Sequence, residues 1–200
     1  LLNQFFKKLN MKRKSLSVTK KTPNFYLTKL KDPQIRKLYS LFSNNLASLD
    51  LANKKIMVGV SGGADSLAAL FFSQCYALKH STKLYPVIID HKVRKESTIE
   101  AKNLKHTLQQ NFDINCKILS KKNVKINKNI QSYARDLRYD LFFEECNKRK
   151  IDYLILGHHK DDLIENFFIR FLRGSGLKGL ISFDKNVINY NGIKVIRPFL

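Results

Sequence analysis

The sequence predicts an α/β fold: a parallel β-sheet sandwiched by helices in a Rossmann-like alternation, preceded by a basic N-terminal extension. Short runs rich in Val, Ile and Leu recur as KIMVGV at 55–60, LYPVIID at 84–90, CKILS at 116–120 and DYLILG at 152–157. Consecutive apolar residues mark strands buried on both faces. Helical periodicity fills the intervals, at about 66–79, 96–111, 129–149 and 161–173. Polar clusters at 61–66, at Asp90 and His91, and at 157–162 follow the strand-like runs. Ligands of open parallel sheets bind at those carboxyl ends.

Taken in order, residues 1–22 carry seven Lys or Arg and no acid, and read as a flexible basic arm. Cleavable targeting peptides share that composition, but no long apolar segment or cleavage signal follows, and Met11 is an alternative start. Residues 23–53 read as a helical leader. Ile35, Leu38, Leu41, Phe42, Leu46 and Leu49 give 33–51 one apolar face, which is expected to lead into the core rather than form it. The catalytic-type domain is expected over 54–200. Its last stretch, VINYNGIKVIRPFL, reads as a hairpin or strand cut short of any helix, as in the N-terminal piece of a longer chain.

Two hundred residues with 44% hydrophobic content suffice for one domain with a core. No window of eighteen apolar residues occurs, so a membrane-spanning helix is not expected. A formal charge of +21, from 37 Lys and Arg against 16 Asp and Glu, predicts a polyanionic partner, nucleic acid first. Skewed base composition at the source is the alternative explanation. Cys75, Cys116 and Cys146 have neither C-x-x-C nor zinc spacing and are expected as buried, reduced thiols of a cytoplasmic protein.

The stretch VGVSGGADSLAAL at 58–70 holds two motifs that share atoms. Gly59, Ser61 and Gly63 spell the G-x-S-x-G turn that exposes a nucleophilic serine, and Asp90 and His158 follow in the order of a hydrolase triad. However, Ser61 follows the first core strand, and no His-Gly-Gly segment precedes it. The alternative is a glycine-rich loop opening a helix, where backbone N–H groups, serine hydroxyls and the helix dipole hold phosphate. Asp65 suits that loop if it ligates Mg²⁺ or if it caps the helix. No Walker G-x-x-x-x-G-K-[ST] is present.

With its strand and helix context, SGGADS resembles the pyrophosphate-binding loop of the N-type ATP pyrophosphatases, the PP-loop superfamily. Further blocks are similar to the tRNA(Ile)-lysidine synthases within it. They are VIIDHKVRKES, NIQSYARDLRYDLF, GHHKDDLIENFFIRFLRGSGLKGL and IRPFL. The group of tRNA 2-thiocytidine synthetases shares part of this pattern but carries a C-x-x-C that is missing here. The resemblance covers roughly 54–200 and implies an adenine nucleotide alpha hydrolase-like fold.

In that family, ATP adenylates the C2 oxygen of the wobble cytidine, position 34, of an isoleucine tRNA with a CAU anticodon. The ε-amine of free lysine then displaces AMP. The resemblance implies an ATP site of Val60, Ser61, Gly62, Gly63, Ala64, Asp65, Ser66, Asp90 and His91, with Asp65 also holding Mg²⁺. It implies a lysine site of His158, Asp162 and Glu165, and a phosphate- or adenylate-stabilising role for Arg135 or Arg138.

The residues also speak for themselves. Ile164, Phe167, Phe168 and Phe171 form a helical stripe that leaves Asp162 and Glu165 on the opposite side. Those acids can hold a cation or accept a proton, or simply stabilise a helix N-terminus. Arg135 and Arg138 suit a polyphosphate, or a surface pairing with Asp136 or Glu144.

Overall fold

The computed structural model describes residues 23–92, 95–121, 130–158 and 186–200. The described strands form one sheet in the order β3-β2-β1-β4-β6-β5. They are β1 (Lys55–Val60), β2 (Lys83–Ile89), β3 (Lys117–Leu119), β4 (Tyr153–Leu156), β5 (Val187–Tyr190) and β6 (Ile193–Ile196). All adjacent pairs are parallel except β5 with β6, a hairpin turned at Asn191 and Gly192. The mostly parallel sheet and the closing hairpin agree with the sequence reading.

Helices cover both faces. On one lie α1 (Pro23–Lys29), α2 (Pro33–Leu46), α3 (Ala64–His80) and α4 (Lys95–Phe112); on the other lies α5 (Ile130–Arg149). Period-two alternation sorts the strand residues between them. Ile56, Val58, Ile88, Ile155 and Ile196 join the α3 side, while Met57, Val87, Leu154, Leu156 and Val195 join Phe142 and Cys146 of α5. Glu145 of α5, buried, ties this layer to β3 by accepting from Lys117 Nζ at 2.8 Å with each oxygen, and it also bonds Arg149.

The leader departs from expectation. Phe42 and Leu46 of α2 are fully buried, and the Phe42 ring packs 5.7 Å from Phe72 and 5.8 Å from Phe199. The segment expected only to lead into the core is therefore part of it. Its amphipathic stripe has α3 and the chain's final turn to bury against. Asp32 starts α2 by accepting from the Gln34 and Ile35 amides, and the helix ends at Leu46, before the expected 51. Helix α1, at the start of the helical leader expected over 23–53, adds Tyr26, whose hydroxyl donates to the Phe112 carbonyl.

The three cysteines are buried, and burial pushes each thiol up to about 12, so they stay protonated as expected. Among the described residues, no helix is long and apolar enough to cross a membrane. Residues 1–22, the expected basic arm, and the helix expected at 161–173 lie outside the described residues.

Candidate nucleotide site

Strand β1 ends at Val60 and helix α3 begins at Ala64, so 61–63 form a short bridge over the carboxyl edge of the sheet. Gly62 takes φ +86°, the left-handed region that L side chains avoid. Gly63 is the N-cap residue, with ordinary dihedrals and no side chain to satisfy the first-turn amides of α3. The two glycines thus differ: the backbone requires one, while the other leaves the helix start without a side-chain cap.

Ser66 locks this bridge. Its hydroxyl donates to the Gly63 carbonyl at 2.9 Å and accepts from the Ser61 amide and the Ser61 hydroxyl, each at 3.1 Å. The side chain expected to grip a ligand is buried and committed to holding the loop closed on itself. Ser61, exposed, donates to Ser66 rather than to an imidazole.

Gly157, just past β4, presses on the same turn from below. A Cβ there would lie 2.5 Å from the Asp65 carbonyl oxygen and 2.7 Å from the Ser66 Cα. Gly59, inside β1, makes a comparable concession to α5, since an added Cβ would lie 2.7 Å from Phe142 Cζ and Leu156 Cδ2. A glycine within a strand signals such an approach in sequence. Neither glycine, nor Phe142 or Leu156, stood among the expected site residues.

A cavity of about 230 Å³ opens here, lined by the loop, Asp65, His91, Arg138 and His158 over a floor that includes Phe142 and Leu156. Whole small-molecule sites run to roughly 300–1,000 Å³, so this volume corresponds to part of a ligand. Val60, Ser61, Gly63, Asp65, Ser66, His91, Arg138 and His158 of the expected set line it. Gly62 of the loop and Ala64, the first residue of α3, do not line the cavity, and Asp162 and Glu165 lie outside the described residues.

Asp90 and His91 part company. Asp90 is buried and accepts from the Lys92 amide at 3.0 Å, Ser97 Oγ at 3.0 Å and Thr98 Oγ1 at 2.7 Å, so it anchors the start of α4 and does not line the cavity. Burial alone raises a carboxyl pKa, but these hydrogen bonds and the Lys92 charge outweigh it and hold Asp90 below the usual carboxylate range. Its neighbour His91, also past the end of β2, lines the cavity instead.

His91 Nε2 lies 3.4 Å from Arg138 Nη2. A guanidinium only donates, so Nε2 is the acceptor and the proton sits on Nδ1. Burial, then the Arg138 charge, lower the His91 pKa and keep the ring neutral. Burial also lowers the Arg138 pKa, though an arginine remains protonated. A partly buried cation facing a neutral imidazole leaves this wall short of negative charge. Arg135 instead lies over the Tyr139 ring at 6.0 Å and does not reach the cavity.

This geometry argues against the hydrolase alternative. Ser61 bonds Ser66, and Asp90 bonds the α4 turn, so the described residues form no Ser-His-Asp relay. A helix start without a side-chain cap, in one cavity with an arginine at the carboxyl ends of a parallel sheet, defines instead a nucleotide-binding α/β domain of the phosphate-loop type.

Comparison with known proteins places it more closely. The chain belongs to the PP-loop domain family, whose match spans residues 31–200 and so includes helix α2. It is 41% identical over 146 residues to a tRNA(Ile)-lysidine synthase of Orientia tsutsugamushi, covering 73% of this chain and 32% of that protein. A Rickettsia prowazekii protein of the same name is 36% identical over 163 residues, covering 80% and 37%. The chain thus spans about a third of the length of these curated relatives. The U34-tRNA thiolase NcsA from Methanococcus maripaludis shares the fold, with a TM-score of 0.68 over 82% of this chain and 59% of that one, at 22% identity.

Gly157→Ala should push the Asp65 and Ser66 backbone off its position. ATP affinity, measured by titration calorimetry, is expected to fall at least about tenfold, with a stability cost of roughly 1–3 kcal/mol. Unchanged affinity would contradict the assigned contact.

Asp90→Asn should cost on the order of 2 kcal/mol at neutral pH. The Asp90 pKa is lower folded than unfolded, so its contribution is present above the unfolded value and is lost as pH falls through the folded one. Denaturant titrations of wild type and variant should therefore converge below about pH 4.

Proposed function

We propose that this domain ligates lysine onto C2 of the cytidine at position 34 in the CAU-anticodon isoleucine tRNA, through an adenylated tRNA. The products are lysidine, AMP and pyrophosphate, and the reaction belongs to the cytoplasm. The observation that carries the proposal is the loop itself: a helix start without a side-chain cap, held by Ser66 and Gly157, shares a cavity with an arginine that has no carboxylate partner among the described residues. The identity to lysidine synthases supports the choice of substrate, and the charge of +21 suits a polyanion such as tRNA.

In this reading the loop amides bind the phosphates that leave as pyrophosphate, where charge develops during adenylation. Arg138 compensates the phosphate or adenylate from the opposite wall, its guanidinium oriented by His91. The carboxylate oxygens of Asp65 have the hard-donor chemistry that Mg²⁺ prefers, and the ion would neutralise charge on the leaving group. His158, with Asp162 and Glu165, positions the lysine ammonium, and one of these groups accepts its proton so that the neutral amine attacks C2. Ser61 stays a loop donor.

The thiolase alternative is the weaker one. The three cysteines are buried at separate places in the core, Cys75 against the Tyr26 carbonyl and Cys146 against Met57. None is offered to the cavity.

The test is release of AMP and pyrophosphate by the full-length protein from ATP and Mg²⁺, with tRNA and lysine added separately and together. Release that requires tRNA, with lysine incorporated into it, is expected. A requirement for a sulfur donor in place of lysine would point to thiolation, no ATP consumption to simple RNA binding, and fluorophosphonate labelling of Ser61 to a hydrolase.

A further inference from the structure

A second cavity, of about 340 Å³, opens at the β3 margin of the sheet, lined by 84–87 of β2 together with Lys105 of α4, Lys117 of β3 and Arg149 at the end of α5. It exists because β3 starts late. Its first residue, Lys117, pairs with Val87, so among the described residues the first half of β2 has no strand beside it on that margin.

The lining carries three cations and no acid. Glu145, buried behind it, accepts from Lys117 Nζ and bonds Arg149, so one carboxylate serves two of the three. Lys105, half-buried, forms no ion pair among the described residues. The Arg149 guanidinium lies over the Tyr85 ring at 5.0 Å, and Lys83 Nζ lies 5.8 Å from the centre of the same ring. These contacts hold the Lys117 and Arg149 heads in place before a partner arrives, and the lining keeps a positive excess that an anion would offset.

The open edge selects the class of anion. Lys83 donates its amide toward β1, to the Lys54 carbonyl at 2.9 Å. Amides alternate sides along a strand, so position 86 is one whose amide would point to the open margin, and a proline without an N–H stands there. An acidic peptide adding as a strand would find that donor missing from its ladder. A phosphate backbone needs no ladder, and cations grouped about an aromatic ring suit it. Ile89, two residues beyond Val87 and so about 7 Å further along β2, already lines the nucleotide cavity. One RNA molecule can therefore meet both cavities.

We propose that this margin holds the phosphate backbone of the RNA substrate through Lys105, Lys117 and Arg149, and positions the RNA without reading its sequence. The proposal rests on the reading of the substrate as tRNA.

The experiment measures binding of the CAU-anticodon isoleucine tRNA, and of an unrelated tRNA, to full-length wild type and Lys105→Gln over a range of salt concentrations. Both RNAs should bind the variant about two- to tenfold more weakly, and the slope of log affinity against log salt should shrink by roughly 0.7–0.9, with ATP affinity unchanged. A slope equal to that of wild type overturns the proposal, as does a loss confined to the isoleucine tRNA or a loss of ATP affinity.

Footprinting of wild type guards against a variant that fails to fold. Acetylation of Lys105 by an N-hydroxysuccinimide ester, read by mass spectrometry, should fall when tRNA is added. No protection by tRNA, or protection by ATP or polyglutamate in its place, overturns the proposal and assigns the margin to a small anion or an acidic protein where one of those protects. Protection by tRNA in a protein that releases no AMP leaves the backbone contact standing and overturns the ligase reading instead.

Discussion

The contact between Gly157 and the backbone of Asp65 and Ser66 is the constraint on which the site depends. It exists because β4 pairs with β1 in a register that sets Leu156 beside Gly59, which brings the next residue under the first turn of α3. A strand end without a side chain lets a helix N-terminus sit directly on the sheet edge. From that placement follow the helix start without a side-chain cap, the bridge over 61–63 and the Ser66 hydroxyl that closes it. The buried sheet therefore does more than support the loop. Its register fixes where an anion can be held, and the Phe142 ring on Gly59 fixes the floor beneath it.

Charge is distributed around this geometry with a clear division of labour. Asp90, although buried, is stabilised as an anion by the α4 turn and serves the fold. His91 is kept neutral and serves Arg138. Arg138 on α5 has no carboxylate partner among the described residues, which is the pattern expected where the compensating charge arrives with a substrate. Ser61 fits the same logic: a hydroxyl engaged with Ser66 is a structural donor at the mouth of an anion site, not an activated nucleophile.

Much of this was legible in the sequence, for identifiable reasons. Double-sided burial of parallel strands leaves unbroken apolar runs, so all of the first strands could be read from Val, Ile and Leu alone. The loop was legible because glycines and serines at a strand-to-helix turn have few other uses. The destination of the α2 stripe was not, because periodicity reveals that a face is buried but not what it is buried against. Helix α1 is a single short element with weak periodicity, and its order rests on Tyr26 reaching Phe112 far along the chain. The resemblance grouped Asp90 and His91 at the ATP site, but Asp90 bonds the α4 turn while His91 lines the cavity, a division that only the contacts past the end of β2 reveal. Gly157 was visible only as punctuation, since its purpose is a contact with a segment about ninety residues away.

The central claim is that the loop grips the part of ATP that leaves, while the attacking group comes with the substrate. A crystal structure of the full-length protein with a non-hydrolysable ATP analogue and Mg²⁺ tests it most directly. The account predicts the β- and γ-phosphates on the backbone amides at the start of α3, with Ser61 still bonded to Ser66 and Arg138 facing the α-phosphate. Phosphates bound elsewhere on the sheet edge, or a Ser61 hydroxyl freed and turned toward a histidine, would contradict it.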